Sequence, residues 1–234
     1  MFFSKKFSKF KSIKHCFFSR NNGFSKGLYK SLNCGKGSRD KKKYIIKNIN
    51  YVSQKMFVKK NKLVLMNQTH SSRVIEIKKN NYKSKINSDA IITSLKGLAL
   101  GVLTADCVPV IIYDSKNEII GCIHAGWKGA FSGIIENTIK KIKKLKSNNK
   151  IFASIGPCIG KKNYEVDLIF YNKFLNRSSK NKKYFSYKNK KKKLFNLRKF
   201  VADRLLELKV SVDHVNHDTF SEKTNFFSYR RSCK

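Results

Sequence analysis

Acidic residues, arginines, prolines and long apolar runs are all in short supply, and each shortage removes a class of protein. Only 14 Asp and Glu stand against 52 Lys and Arg, so the 234 residues carry a formal charge of +38. Such a charge attracts nucleic acid, because each neutralised phosphate releases counterions. Yet just eight of the basic residues are Arg, the side chain whose planar fork reads phosphates and bases. The lysines arrive with Asn and Ile in KKKYIIKNIN and IKKIKKLKSNNK, residues that share AT-rich codons, so the excess reads as a solvated lysine surface. Weak, salt-sensitive RNA adhesion is expected, with no specific nucleic-acid partner.

The longest apolar stretch, Gly97 to Thr104, is far short of the roughly 18 residues a membrane span needs, and Asp106 follows it. A transmembrane helix is excluded. The opening MFFSKKFSKFKSIKHCFF interrupts its aromatics with lysine every few residues, leaving no apolar core for a secretory signal. Six cysteines (16, 34, 107, 122, 158 and 233) form no CxxC pair in a chain too long to depend on disulfide staples. Reduced thiols in a cytoplasm are expected. With two prolines, no internal repeat and no Gly/Ser linker, residues 1–234 read as one domain of unknown oligomeric state.

What is present is enough apolar side chain for a packed core: 41% hydrophobic residues, with 18 Phe and 10 Tyr. Strand-like runs lie at Leu63 to Met66, Arg73 to Ile77, Ala90 to Thr93, Leu98 to Leu103, Val108 to Tyr113, Glu118 to Ile123, Ile151 to Ile155 and Val210 to Val215. Phe131, Ile134, Ile135, Ile139, Ile142 and Leu145 repeat at helical period. Helices also fit Val166 to Leu175 and Asn196 to Leu208. The lysine-rich stretches around 174–195 and at 143–150 read as loops. The mixture predicts an α+β fold with both faces of its sheet covered.

The chemistry concentrates in GVLTADCVPVIIYDSKNEIIGCIHAGWKG. Two apolar runs flank the turn formers Asp-Ser-Lys-Asn, so they should pair as an antiparallel hairpin. If Tyr113 faces Glu118, Cys107 falls opposite His124, about 5 Å away on the same face. That suits two ligands of one metal ion, or a thiolate and its base. His70, in LVLMNQTH just beyond a strand, offers a third donor. Cys plus two His favours zinc and leaves a fourth position open for water or substrate. The competing reading makes them two hydrogen-bonded core histidines and a small buried cysteine.

The blocks NQTHSSRV, SDAIIT, LTADCVPVIIYD, HAGWKG, IGPCIGKKNYEV and NFFSYRRS together resemble the YfiH-like family, also called the laccase-domain or multicopper polyphenol oxidase family and described as purine nucleoside phosphorylases. The resemblance spans nearly the whole chain. It implies a layered α/β/β/α sandwich with mixed sheets and a metal held by His70, Cys107 and His124. It further implies phosphorolysis of adenosine, inosine, guanosine and methylthioadenosine, together with adenosine deamination, zinc being the cofactor and purine nucleosides and phosphate the partners. Copper is the alternative, with oxidation of phenols. Five histidines are few for the additional His-rich copper sites of a multicopper oxidase. A metal-free pair of Cys107 as nucleophile and His124 as base, and a basic RNA-associated protein, are further alternatives.

Around the donors, Asp106 is a candidate to orient a ligand or carry a proton, or else an exposed strand-end carboxylate. Gln68 is a candidate for a purine edge, and Asn33 and Arg230 lie in blocks the resemblance covers, one of Arg230 and Arg231 being expected to point inward. Lys128 stands where the family usually has Arg, keeping the charge without the bidentate fork. Asp218 stands where the family usually has Cys. Cys122 and Trp127 read as packing residues, and His15, His214 and His217 have no assigned role.

Overall fold

In chain order the strands are β1 (Leu63–Leu65), β2 (Val74–Glu76), β3 (Ala90–Thr93), β4 (Ala99–Gly101), β5 (Val108–Asp114), β6 (Ile119–Ala125), β7 (Ile151–Ile155), β8 (Glu165–Asp167), β9 (Phe185–Asn189), β10 (Lys192–Phe195) and β11 (Ser211–His214). The helices are α1 (Lys42–Lys55), α2 (Trp127–Phe131), α3 (Ile134–Leu145), α4 (Leu168–Arg177), α5 (Leu197–Glu207) and α6 (Tyr229–Ser232). This computed structural model describes residues 1–233. The two apolar runs around Asp114 do pair, and their hairpin sits in the middle of a six-stranded mixed sheet of order β11-β7-β5-β6-β3-β2.

The register differs from the one the spacing predicts. Tyr113 lies opposite Ile120, and His124 opposite Pro109, a slip of two residues. The reason is Asp114, which extends the strand and turns its buried carboxylate on the loop. It accepts from the Asn117 amide at 2.7 Å, the Asn149 amide at 2.6 Å, and the backbone N–H groups of Lys116 and Lys150. Glu118 is used in the turn at a φ of 52°. A slip of two preserves the pleat's phase, so Cys107 and His124 still share a face. Continuing the register, Gly126 rather than His124 falls opposite Cys107.

One face of the sheet presents Ala90, Ile92, Val110, Ile112 and Ile123 to Ile134, Ile135, Ile139 and Ile142 of α3 and to Val201 and Leu205 of α5. Each fully buried isoleucine contributes about 1.5–3 kcal/mol. The other face sets Ile91 and Cys122 against Val64, Met66, Ile77 and Ile86, with β1 and β4 forming a separate parallel pair. Beyond it α1 turns Ile45 and Ile49 inward. The result is the expected layering, helices on either side of two sheets.

Four further expectations change. The single amphipathic helix after HAGWKG is two, broken at Gly133 with φ 91°. The helix expected from Val166 begins at Leu168 instead, because Val166 pairs with Lys193 and Asp167 caps α4 by accepting from Phe170 N–H at 2.7 Å. The stretch around 174–195 is not a loop: it holds the end of α4, a 3-10 turn and the hairpin β9–β10. Its aromatics force this, Phe174 lying fully buried against Phe170, Phe185, Phe195 and Phe200. Within 143–150, Lys143 to Leu145 complete α3 and only the remainder is loop. All six cysteines are free thiols, and no helix among the described residues is long and apolar enough to cross a membrane.

Candidate metal centre

Three segments meet beyond one end of the β5–β6 hairpin. The turn that follows β1 carries His70, the residue before β5 is Cys107, and the end of β6 carries His124. Their donor atoms all lie within 4.8 Å of one another, with His70 Nε2 3.9 Å from Cys107 Sγ. The two imidazoles are nearly perpendicular, at 82°, with centroids 4.8 Å apart. His124 is buried, Cys107 half-buried and His70 exposed, so the cluster opens to solvent on the His70 side. Two backbones here are unusual: His70 has φ 57° and Asp106 has φ 96°. Non-glycine residues in that region are uncommon and collect at functional sites.

The residue that organises the cluster is one the sequence reading did not single out. Asp89, at the head of the apolar strand β3, is fully buried. Its Oδ1 accepts from His124 Nδ1 at 2.8 Å and from His70 N–H at 3.0 Å. Its Oδ2 accepts from the N–H and hydroxyl of both Thr69 and Ser71, at 2.7–3.1 Å. Burial alone would raise this carboxyl, but the hydrogen bonds from His124 and Ser71 hold it below the usual carboxylate range. An ionised carboxylate only accepts, so Nδ1 of His124 carries the proton and Nε2 is its free donor atom. The available signal was a lone charge abutting the apolar run Ala90 to Ile92.

The residues fit a metal. Two imidazoles and a thiol are a borderline-soft set, and the backbone makes room at Gly126, where a Cβ would sit 3.0 Å from Cys107 Sγ and 2.9 Å from His70 Cδ2. Without a cation, burial, then Asp106, pushes the Cys107 thiol up to about 12, and burial followed by the charge of His124 lowers His70. A thiol held that high is a poor nucleophile, which weighs against a metal-free Cys–His pair. A divalent cation reverses this balance by favouring the thiolate.

The other candidates are placed less directly. Asp106 is buried, not an exposed strand end, and no ligand histidine reaches it. Its carboxylate accepts from Thr219 Oγ1 at 2.7 Å, Ser228 Oγ at 2.9 Å and Arg230 N–H at 2.7 Å. The orienting role considered for it falls to Asp89. Gln68 is clamped at both ends of its amide to the backbone of Leu103, at 2.7 and 2.8 Å. Asn33 holds its own loop, donating to Ser38 and Asp40 and accepting from Gly35 N–H.

Arg231 spends its guanidinium on the carbonyls of Thr219, Phe220 and Phe226. Arg230 donates Nη1 to Glu165 O and lies over Tyr164, 5.1 Å from the ring centroid. Tyr164 is raised by burial and then by the charge of Cys107, and Arg230 opposes that rise. Lys128 is exposed and contributes to the lowering of His70, so it acts electrostatically on the cluster, whereas Arg230 acts on Tyr164. Asp218 accepts from Gly160 N–H, Phe220 N–H, Asn163 and Ser221, tying two loops together.

The family described as multi-copper polyphenol oxidoreductase laccase matches residues 14–234. A purine nucleoside phosphorylase of Rickettsia conorii is 35% identical over 178 residues, 75% of this chain and 73% of that one. A purine nucleoside phosphorylase of Haemophilus influenzae is 32% identical over 216 residues, 91% of this chain and 86% of its own. The crystal structure of the Bacillus licheniformis hypothetical protein YfiH superposes with a TM-score of 0.86 at 28% identity, covering 92% of this chain and 86% of that one.

Proposed function

The chain belongs to the multi-copper polyphenol oxidoreductase laccase family, and from that premise we propose that it is a zinc-dependent purine nucleoside phosphorylase of the cytoplasm which also deaminates adenosine. The observation that carries the reading is the cluster of His70, Cys107 and His124 with Asp89 beneath it. These three would hold the ion, which when bound supplies Lewis acidity and lowers the pKa of water at its open position to about 7. It is the one group of three such donors found among the described residues. Of the other histidines, His15 accepts from Ser4 N–H and His217 pairs with Glu222. His15, His214 and His217 form no second group of donors among the described residues, so the further His-rich site that multicopper oxidation requires finds no support here, which favours the phosphorylase over the phenol oxidase.

In phosphorolysis a phosphate oxygen bonds to C1′ of the ribose while the C1′–N9 bond breaks, its electron pair leaving with the purine. The protein's part is alignment and charge. Asp89 fixes the His124 tautomer and, through the backbone N–H of His70, the loop that carries the second imidazole. Lys128 and Arg230 supply positive charge beside the cluster for the incoming anion. Lys128 offers a point charge where an arginine would bind two oxygens at once, and Arg230 keeps the planar guanidinium, one nitrogen of which donates to Glu165 O.

The test is product analysis of purified, metal-assayed protein with adenosine. Adenine and ribose 1-phosphate should appear only with phosphate, and inosine with or without it. Cys107→Ala and His124→Ala should lose the metal and both products together. Copper-dependent oxygen uptake on a phenol, with no purine released under any condition, would reject the reading in favour of the oxidase.

A further inference from the structure

On the opposite side of the β1–β4 pair from the main sheet, α1 and the turn at residues 82–84 bound a cleft of about 590 Å3, within the range of binding pockets. Its apolar wall is Ile45, Ile46 and Ile49, with Ile46 48% exposed. Its rim carries Lys36, Lys42, Lys60 and Lys83, and no acidic side chain lines it. Tyr82, also lining it, feels this field: the Lys62 ammonium lies 3.4 Å from its hydroxyl, and the phenol is lowered by that hydrogen bond.

The decisive detail is that the cleft touches Leu63, Val64 and Leu65 in succession. Successive strand residues point to opposite faces. Val64 faces the core with Met66, whereas Leu63 and Leu65 flank Gly101 on the other face. Tyr82, Lys83 and Ser84, just before the segment that pairs with Asn67, line the same cleft, which places it beside the strand's far edge. One edge of β1 is taken by β4. Along the other, the chain itself pairs only further on, where Asn67 N–H donates to Ile86 O and Ser88 N–H donates to Asn67 O. On this edge Leu63 N–H turns back to Lys60 O, and Leu65 has no backbone hydrogen bond beyond the β4 pairing among the described residues. An open strand edge is a template for another strand.

We propose that the β1 edge is a docking slot for an extended peptide segment of a partner protein, alternating apolar and acidic side chains. The partner adds a strand alongside Leu63 to Leu65, its apolar side chains against Ile46 and Ile49 and its carboxylates on Lys36, Lys42, Lys60 and Lys83. The apolar wall calls for side chains that a polyanion lacks, and the strand edge calls for main-chain N–H and C=O groups that a fatty acid lacks.

The test uses the full chain and a fluorescein-labelled acetyl-(Glu-Val)4-amide peptide, read by anisotropy at physiological salt. Its competitors are the same peptide with alternate amides N-methylated, oligoglutamate of equal charge, and decanoate. The labelled peptide should bind, and N-methylation should weaken competition by about tenfold or more, because it removes the hydrogen bonds of the added strand while keeping every charge. Ile46→Asp, at a half-exposed position that tolerates substitution, should weaken binding about tenfold. Lys60→Glu/Lys83→Glu should also weaken it, whereas Lys188→Glu/Lys191→Glu on the distant β9–β10 hairpin should not. Competition by oligoglutamate equal to that of the peptide, equal effects of the two charge reversals, or competition by decanoate alone would each overturn the proposal.

Discussion

Replacing Asp89 by Asn changes one oxygen to an NH2 group at the point where every neighbour is a donor. The amide can be seated in two ways. With nitrogen at the Oδ2 position, the Thr69 and Ser71 hydroxyls can reverse and accept, but their backbone N–H groups cannot, so two part-buried donors are orphaned. With nitrogen at the Oδ1 position, the His70 N–H is orphaned, and His124 must shift its proton from Nδ1 to Nε2 to accept at all. Each orphaned N–H costs about 1–3 kcal/mol, so the first seating destabilises the fold by roughly 2–6 kcal/mol and the second by roughly 1–3 kcal/mol before the tautomer shift. The second seating also places a proton on the ligating nitrogen, and outer-shell changes of this kind weaken metal affinity by about 10–100-fold. Chelator competition on the purified variant measures the affinity, and denaturant unfolding of the metal-free protein measures the stability. An Asp89→Asn protein that keeps both wild-type metal affinity and wild-type stability would refute the assignment of Asp89 as the group that sets the site.

Gly126→Ala should leave the fold intact, since φ −69° suits alanine, but its Cβ enters the space between Cys107 and His70; metal affinity should fall about tenfold or more, with stability changed by under about 1 kcal/mol, as chelator competition and thermal unfolding would show. Asp114 is held below the usual carboxylate range because, although burial opposes it, the amides of Asn149 and Asn117 and two backbone N–H groups bond its ionised form. The stability it contributes is therefore complete above the unfolded value of about 3.9 and fades as pH falls through the lower folded value. Asp114→Asn should cost about 2–3 kcal/mol at pH 7, and the gap from wild type should close on acidification below pH 4 in denaturant titrations. Binding to unstructured RNA, followed by filter retention, should fall steeply with salt and show no sequence preference; tight binding to one sequence at physiological salt would contradict the lysine-surface reading.

Cys107 and His124 could be read together from the sequence because they stand at the open end of a strongly patterned hairpin, where period fixes the face, whereas His70, five residues past β1, is offered by its residue type and by the family resemblance and not by spacing. The exact pairing could not. It is decided by the Asp114 side chain reaching Asn149 and Lys150, more than thirty positions away, and no local turn rule contains that contact. Asp89 escaped for a similar reason: its partners at 69–71 and 124 become neighbours only when β1, β3 and β6 are assembled. The β9–β10 hairpin was hidden by its lysines, which solvate the outside of a segment whose Phe185 and Phe195 stack at 4.8 Å. Helix α1 was passed over because its lysines and asparagines obscure the short inward stripe of Ile45 and Ile49.

The carboxylate of Asp106 carries a consequence for the order in which the molecule can be made. It sits beside Cys107, yet all three of its side-chain partners, Thr219, Ser228 and Arg230, lie 113 to 124 positions downstream. While the chain is still emerging from the ribosome, the β5–β6 hairpin can form from its own residues, but Asp106 is left facing water in a left-handed backbone conformation that nothing yet holds. The pocket around Cys107 therefore closes only after the segment carrying α6 has been synthesised and folded back. Nascent or prematurely terminated chains would contain His70, Cys107 and His124 and still lack the tether beside one of them.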